Sequence, residues 1–455
     1  MSKKLTEQLI KEFEEFKSRL NEKNGNGLLR AREESFDLFT KTGFPNPKDE
    51  DWRYTNLSFL NKHNFRLLFE PSERRISHRE VDNFLFDRIR ENVIVFVNGF
   101  FSKTLSRIVS NGGRIQIGSL AEAIRSNDED LLRHFNMDLS KPKDPFTALN
   151  TAFTQDGAFI KINDGAVLEE PIHLLYINET KSYPVMTMPR NIIIAGKNSQ
   201  AKIVQTVQTI GNDPSFTNIF TKVVGMPSCN IDFSKVQNDN GKAYYVGTTQ
   251  VNLSKDSVFH NATFTFNGDF VRNNINIVMS DEGADTNLHG FYFLKDRDFV
   301  DNHTLIDHAK PHCTSNELYK GIMDNKSHAV FNGKILVRKD AQKTLSYQTN
   351  KNILMTDDAK VNTKPELVIY ADDVKCSHGA TSGNLNTESL FYLKTRGIDE
   401  DVAKALLLNA FAGDVVDKIN IGQLRDHAKS KIAERLKMDD VYFCHHIPLF
   451  PINED

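Results

Sequence analysis

The stretch "ATFTFNG" (residues 262–268) decides how this chain is to be read. In an extended backbone successive side chains leave opposite faces, so Phe264 and Phe266 share one face and Thr263 and Thr265 the other. Asn267 and Gly268 then supply a corner. Runs of the same texture spread in both directions: "AFIKIN", "IHLLYIN", "NIIIAG" and "AKIVQTVQT" before it, "NINIVMS", "LHGFYFLK", "AVFNGKILV" and "LVIYADDV" after it. No helical period intervenes over roughly 240 residues. So long a run excludes doubly wound folds, which need a crossover helix between parallel strands. A sandwich, a propeller or a solenoid is left. No WD-type or kelch-type repeat recurs at a fixed period. Short, closely spaced strands with Asn and Gly corners favour a β-helix over a sandwich, because such corners need left-handed or bridge conformations. The expected fold is mainly β, a right-handed parallel β-helix (solenoid) core with helical N- and C-terminal regions.

The flanks read differently. Leu5, Leu9, Phe13, Phe16 and Leu20 recur at steps of three and four, one face of a helix. A break at "NGNG" (24–27) precedes a second helical run through Phe36 and Phe39, and the Pro-rich "TGFPNPKDEDWRYTNL" (42–57) is a loop. "NVIVFVNG" (92–99) is a strand and "IGSLAEAIRSNDEDLLRHF" (117–135) reads as helix. Beyond Asn386 the stripe Ala403, Leu406, Leu407, Ala410 and Phe411 restores the helical period, with Gly413 as a break and a further helix over about 421–437. The expected organisation is an N-terminal helical region (1–92), a mixed strand/helix lead-in (93–144), the β-helix core (145–385), a C-terminal helical region (386–440) and a tail (441–455).

Composition narrows the function. With 455 residues the chain is long enough for a substantial core. Lys+Arg 57 against Asp+Glu 60 gives a net charge of −3, which lacks the electrostatic footprint of a nucleic-acid binder. The N-terminus lacks the apolar stretch of a secretory signal and no later run would span a bilayer, so a cytoplasmic protein without membrane contact is expected. Cys229, Cys313, Cys376 and Cys444 are scattered with no CxxC, which excludes a zinc ribbon and a self-contained four-cysteine cluster site.

Enzyme signatures are missing. There is no phosphate-cradling GxxxxGK[ST], no GxSxG and no HExxH, so the residues give no support to those enzyme classes. The pairs Asp372/Asp373 and Asp281/Glu282 invite a glycosidase reading, but neighbours on a strand point to opposite faces. In "DNHTLIDHAKPHC" (301–313), His303 and His308 are five apart and project to opposite faces, with His312 after Pro311; polar strand residues suit them better than a shared metal. Cys444, His445 and His446 belong to the tail and suit a partner contact better than a metal. "DDVKCSHGATSG" (372–383) is different, because Cys376 and His378 at i and i+2 leave one face of an extended segment, with Cα atoms roughly 6.5 Å apart. One metal ion fits between them, and a thiol with its base is the alternative. Two ligands cannot hold a cluster, so a metal role requires a partner chain. A buried thiol beside a hydrogen-bonded histidine is the structural alternative.

"DNHTLIDHAKPHCTSNELYKGIM" (301–323), "AVFNGKILVRKDAQKT" (329–344), "KPELVIYADDVKCSHGATSG" (364–383) and "LFYLKTRGI" (390–398) together resemble the SufB/SufD family of iron–sulfur cluster assembly proteins, on the SufD side. "GFPNPKDEDWRYTNL" and "VFVNGFFSK" are similar to it more loosely. The resemblance implies a parallel β-helix flanked by helical ends. It also implies a non-enzymatic subunit that pairs with a SufB-like scaffold and, through the C-terminal helices, with a SufC-like ABC-type ATPase. Asn350 aligns with the scaffold sibling's functional cysteine, so this chain lacks that thiol. The resemblance further implies that His378, with Cys376, is a metal contact shared with the partner chain, that no cofactor is tightly bound to the chain alone and that a transient Fe–S cluster forms at the interface; it leaves flavin undecided. The isolated chain is free to form a homodimer. A β-helical polysaccharide lyase or hydrolase, and a self-sufficient SufB-like scaffold homodimer, are the competing readings.

Overall fold

The computed structural model describes residues 3–20, 26–71, 76–86, 89–109, 113–137 and 144–438; the tail with Cys444, His445 and His446 lies outside them. Successive core strands go alternately to two sheets. Arg190–Ala195, Ser215–Gly225, Ala243–Leu253, Phe270–Met279, Phe299–His308, His328–Val337 and Lys360–Ile369 stand side by side in one. Ile172–Thr180, Gln200–Gly211, Asn230–Asn238, Val258–Asn267, Asp285–Leu294, Thr314–Met323, Leu345–Leu354 and Lys375–Gly383 make the other. Neighbours within each are parallel, so the chain climbs one coil at a time in a β-solenoid of about 8 turns. The in-register file Thr263, Gly290, Tyr319, Asn350, Ala380 shows the rise, in steps of 27, 29, 31 and 30 residues. The corners vary in length, and for that reason no fixed period shows in the sequence.

Six of those corners follow one local rule. A left-handed residue (Asn198, Ser228, Asp256, Gly283, His312 or Lys343, φ between 53° and 71°) is followed by a small, fully tucked side chain. The tucked residues are Ser199, Cys229, Ser257, Ala284, Cys313 and Thr344, none more than 1% exposed. Where the residue carries a hydroxyl it donates three residues back, as Ser199 does to the Gly196 carbonyl and Thr344 to that of Ala341. Cys229 and Cys313 therefore occupy the slot that serine, alanine and threonine fill in other coils. Burial pushes the Cys229 thiol up to about 11 and raises that of Cys313. Both are structural thiols.

The lumen is filled by complementary size. Tyr319 lies against Gly290 of the coil below, and Tyr292 against Gly321 of the coil above; a β-carbon on either glycine would meet a tyrosine ring at 2.1 or 2.0 Å. Outside, helices cover the apolar parts of each sheet. Lys3–Leu20 and Asn26–Thr42 pack Leu9, Phe13 and Phe39 in one cluster with Phe216 and Phe270 of the first sheet. Leu408, Val415 and Ile432 of the C-terminal helices cover Phe264, Phe266 and Phe291 of the second. The phenylalanine face of "ATFTFNG" thus points outward beneath helices, while Thr265 turns inward and donates to Gln237 at 2.7 Å.

Three local expectations change. The first residues of the expected core, Pro145–Phe153, form a helix, so the first core strand begins at Ala158. Its reason is local: Asp144 caps the N–H groups of Phe146 and Thr147, and Pro145 occupies the first turn. The segment expected as helix from 117 begins instead as the end of the strand Ile115–Ser119, and Ser119 caps a short helix, Leu120–Arg125. Gly413 breaks nothing; the helix runs from Glu400 to Val416 because Ala412 and Val415 stay packed on the sheet. Among the described residues no helix is long and apolar enough to cross a membrane.

Gly290→Ala should lose about 1–3 kcal/mol in urea unfolding, because the tyrosine ring above it has nowhere to go. Cys313→Ser should stay within about 1 kcal/mol of the parent, since serine already fills the same slot in other coils.

Candidate functional site

The solenoid stops at Lys360–Ile369 in one sheet and Lys375–Gly383 in the other, each the last strand of its row. Among the described residues neither has a neighbour on its outer edge, so a line of backbone donors and acceptors faces outward. Within Lys375–Gly383, Cys376 and His378 fall on one face, as their spacing requires. Register identifies that face. Cys376 stacks on Ser346 and Ser315, and His378 on Gln348, Glu317 and Leu288. Those five underlying residues are at most 2% exposed, and Leu288 belongs to the lumenal core. The two candidate ligands are therefore lumenal positions that have reached the open end. Cys376 is half-buried against Ile335, Val337 and Ala371, while His378 is exposed.

Beneath them run two polar files. Ser346 and Ser315 share a hydrogen bond of 2.6 Å, and Ser315 meets His308 Nε2 at 2.9 Å. Burial lowers the His308 imidazole to about 4, so it is neutral. In the second file Gln348 Nε2 donates to Glu317 Oε2 at 2.6 Å, and burial pushes the Glu317 carboxyl up to about 7. Burial also raises the Cys376 thiol, opposed by the backbone N–H of Ser346. This shift favours the protonated thiol. Reading the residues one by one did not find Gln348, Glu317, Ser346 or Ser315. The available signal was the polar alternation Ser346, Gln348, Asn350, Asn352 along one strand, every member of which is buried.

The other candidates disperse. Asn350 is fully buried, donating to the Tyr292 hydroxyl and the Tyr319 carbonyl at 3.2 Å each, so a satisfied amide occupies that position. His303 lies outside the solenoid at 2.9 Å from Asp301, His308 lies inside it, and His312 is a corner residue. No shared ion joins them. Asp373 pairs with Lys343 and Glu282 with Lys255, so neither acidic pair forms a facing carboxylate dyad. Among the described residues no group of three or more His, Cys, Asp and Glu side chains converges as a metal site.

The sequence also matches known proteins. Residues 176–411 match the family model described as SUF system FeS cluster assembly, SufBD core domain, and residues 3–174 match the SufBD protein N-terminal region. An iron–sulfur cluster assembly SufBD family protein of Synechocystis is 30% identical over 416 residues, covering 90% of this chain and 91% of that one. The iron–sulfur cluster assembly protein SufD of Escherichia coli is 27% identical over 403 residues, 87% and 90% of the two chains. SufD of Bacillus subtilis is 24% identical over 425 residues, 90% and 93%.

The buried Glu317 sets a pH dependence. Its folded value lies above its unfolded one, so its stabilising contribution is complete below about 4.5 and is lost as pH rises toward about 7. Glu317→Gln removes that slope. Its stability relative to the parent should improve by on the order of 3 kcal/mol between pH 4.5 and pH 7.5, measured by urea melts across that range.

Proposed function

The chain belongs to the SufBD family of SUF-system iron–sulfur cluster assembly proteins, and from that premise we propose that it is the SufD-type subunit of an assembly complex. In this reading it is not an enzyme. It pairs with a SufB-like scaffold and a SufC-like ATPase in the cytoplasm, where the complex builds nascent clusters and hands them over.

One observation carries the reading: among the described residues the last coil is uncovered, and the two metal-competent side chains stand on that coil. A partner strand laid along the open edge takes up the exposed backbone groups, as strand addition does elsewhere. The same contact brings the partner's ligands against His378 and Cys376. The cluster is then cargo held between two chains. It is exposed or enclosed as the chains move, and ATP binding in a third subunit supplies the bias. A self-sufficient scaffold would need more ligands than this edge offers, and the ion-paired carboxylates give no support to polysaccharide cleavage.

The ATPase contact is assigned to the C-terminal helices on a narrower ground than their apolar stripe. Much of the apolar content of Glu400–Val416 is used against the solenoid, through Leu408, Ala412, Val415 and Val416, and Lys320 anchors it by pairing with Asp414. What remains for a partner is Thr387–Thr395, which buries no residue and leaves Phe391 68% and Tyr392 57% exposed. Contiguous exposed aromatics suit a protein contact.

His378→Ala should leave assembly and thermal stability close to the parent, yet reduce iron and acid-labile sulfide in the purified complex by about tenfold. Normal cluster content in that variant would sink the assignment, and a loss that tracks unfolding would return His378 to a structural role. Cys376→Ser should be equally damaging if the sulfur is a ligand and milder if it only packs. Separately, replacing Phe391 and Tyr392 by Ala should weaken ATPase capture by at least about tenfold without lowering the unfolding midpoint. Undiminished capture would remove these helices from the interface.

A further inference from the structure

Gln348 is 1% exposed and sits in register between Glu317 below and His378 above. The nitrogen end of its amide is committed. Nε2 donates to Glu317 Oε2 at 2.6 Å and packs over Gly333, where a β-carbon would approach that nitrogen to 2.4 Å. The oxygen end is not. Gln348 Oε1 is buried and has no hydrogen-bond partner among the described residues. A buried carbonyl left in that state is unfavourable and implies a donor that arrives later. The flanking lumenal side chains are already engaged, Ser346 with Ser315 and Asn350 with Tyr292 and the Tyr319 carbonyl. Above Gln348 in the file, the neighbour that carries a donor is His378, one strand spacing of about 4.8 Å away.

We propose that Gln348 is a positioning residue for His378: its amide oxygen accepts a hydrogen bond from one ring N–H of His378 and so presents the other ring nitrogen to the metal at the open edge. The inference rests on the reading of His378 as a metal contact. Glu317 acts one step further back, fixing the amide so that its oxygen and not its nitrogen faces the edge. A histidine that binds metal through one nitrogen needs its other N–H held, both to select the tautomer and to orient the ring. A second effect follows. With the imidazole drawn onto Gln348, the lumen below the site is closed to water by a side chain of the chain's own last coil.

The test is cobalt(II) titration of the complex with the scaffold partner, followed by the visible absorption of thiolate-bound metal. His378→Ala defines the signal that belongs to this edge. Gln348→Met, of the same length and unbranched, should weaken that signal's affinity by about tenfold. In the His378→Ala background the same change should have no further effect, within about twofold, because the interaction it removes is already gone. Glu317→Gln keeps an acceptor for the amide nitrogen and should stay within about twofold of the parent. Parental affinity in Gln348→Met would overturn the proposal, as would a loss of equal size with and without His378. A loss in Glu317→Gln as large as that of His378→Ala would shift the role to the carboxyl and overturn it too. If His378→Ala itself binds cobalt as the parent does, the metal-contact reading fails first, and that signature is distinct from a silent Gln348.

Discussion

In-register stacking of coils about thirty residues apart is the constraint on which the rest of this structure depends. Once the register is set, each side chain has the residue one coil below as its floor and the residue one coil above as its ceiling. Gly290 and Tyr319 are neighbours in one file and Tyr292 and Gly321 in the next, so each ring fills the space the facing glycine leaves. The same constraint governs the six corners in which a left-handed residue turns the chain and a small, buried side chain follows it. The buried positions of Cys229 and Cys313 are explained by that geometry.

A stack must also end, and its two ends differ. At the beginning, the strand Asn92–Val97 pairs with Ile172–Ile177 and Ile115–Ser119 closes the other sheet in antiparallel sense against Ala158–Ile162. At the far end nothing among the described residues follows Lys360–Ile369 and Lys375–Gly383. The polar files that run inside the solenoid therefore surface there, as Cys376 above Ser346 and His378 above Gln348. A file of polar groups is costly inside a protein unless every member is paired. Gln348, whose amide oxygen is unpartnered, lies in register beneath the exposed histidine, next to the unpaired backbone of the edge.

Much of this was legible in the residues themselves. Alternation in "ATFTFNG" and its neighbours identifies strands, their unbroken succession excludes crossover folds, and i, i+2 spacing puts Cys376 and His378 on a common face. The five-residue spacing of His303 and His308 likewise separates them to the outside and the inside. Other signals were present but outweighed: the Asp-Pro cap of Pro145–Phe153 was masked by the strand-like texture that follows it. Along Glu400–Val416 the stripe read from the sequence and the stripe that packs share only Ala403 and, half-buried, Phe411, because that helix is apolar on more than one side.

The sequence by itself determined what depends on backbone geometry over a few residues: period-two faces, corner residues, helix caps, and the pairing of one thiol with one imidazole on a single strand. Only the tertiary structure decided which of two faces looks into the lumen, that phenylalanines go out beneath helices while Thr265 goes in, and that Gln348 and Glu317 lie under His378. The physical reason is distance along the chain. Those relations join residues about thirty positions apart through corners of unequal length, so no local pattern encodes them; they exist only once the coils have stacked.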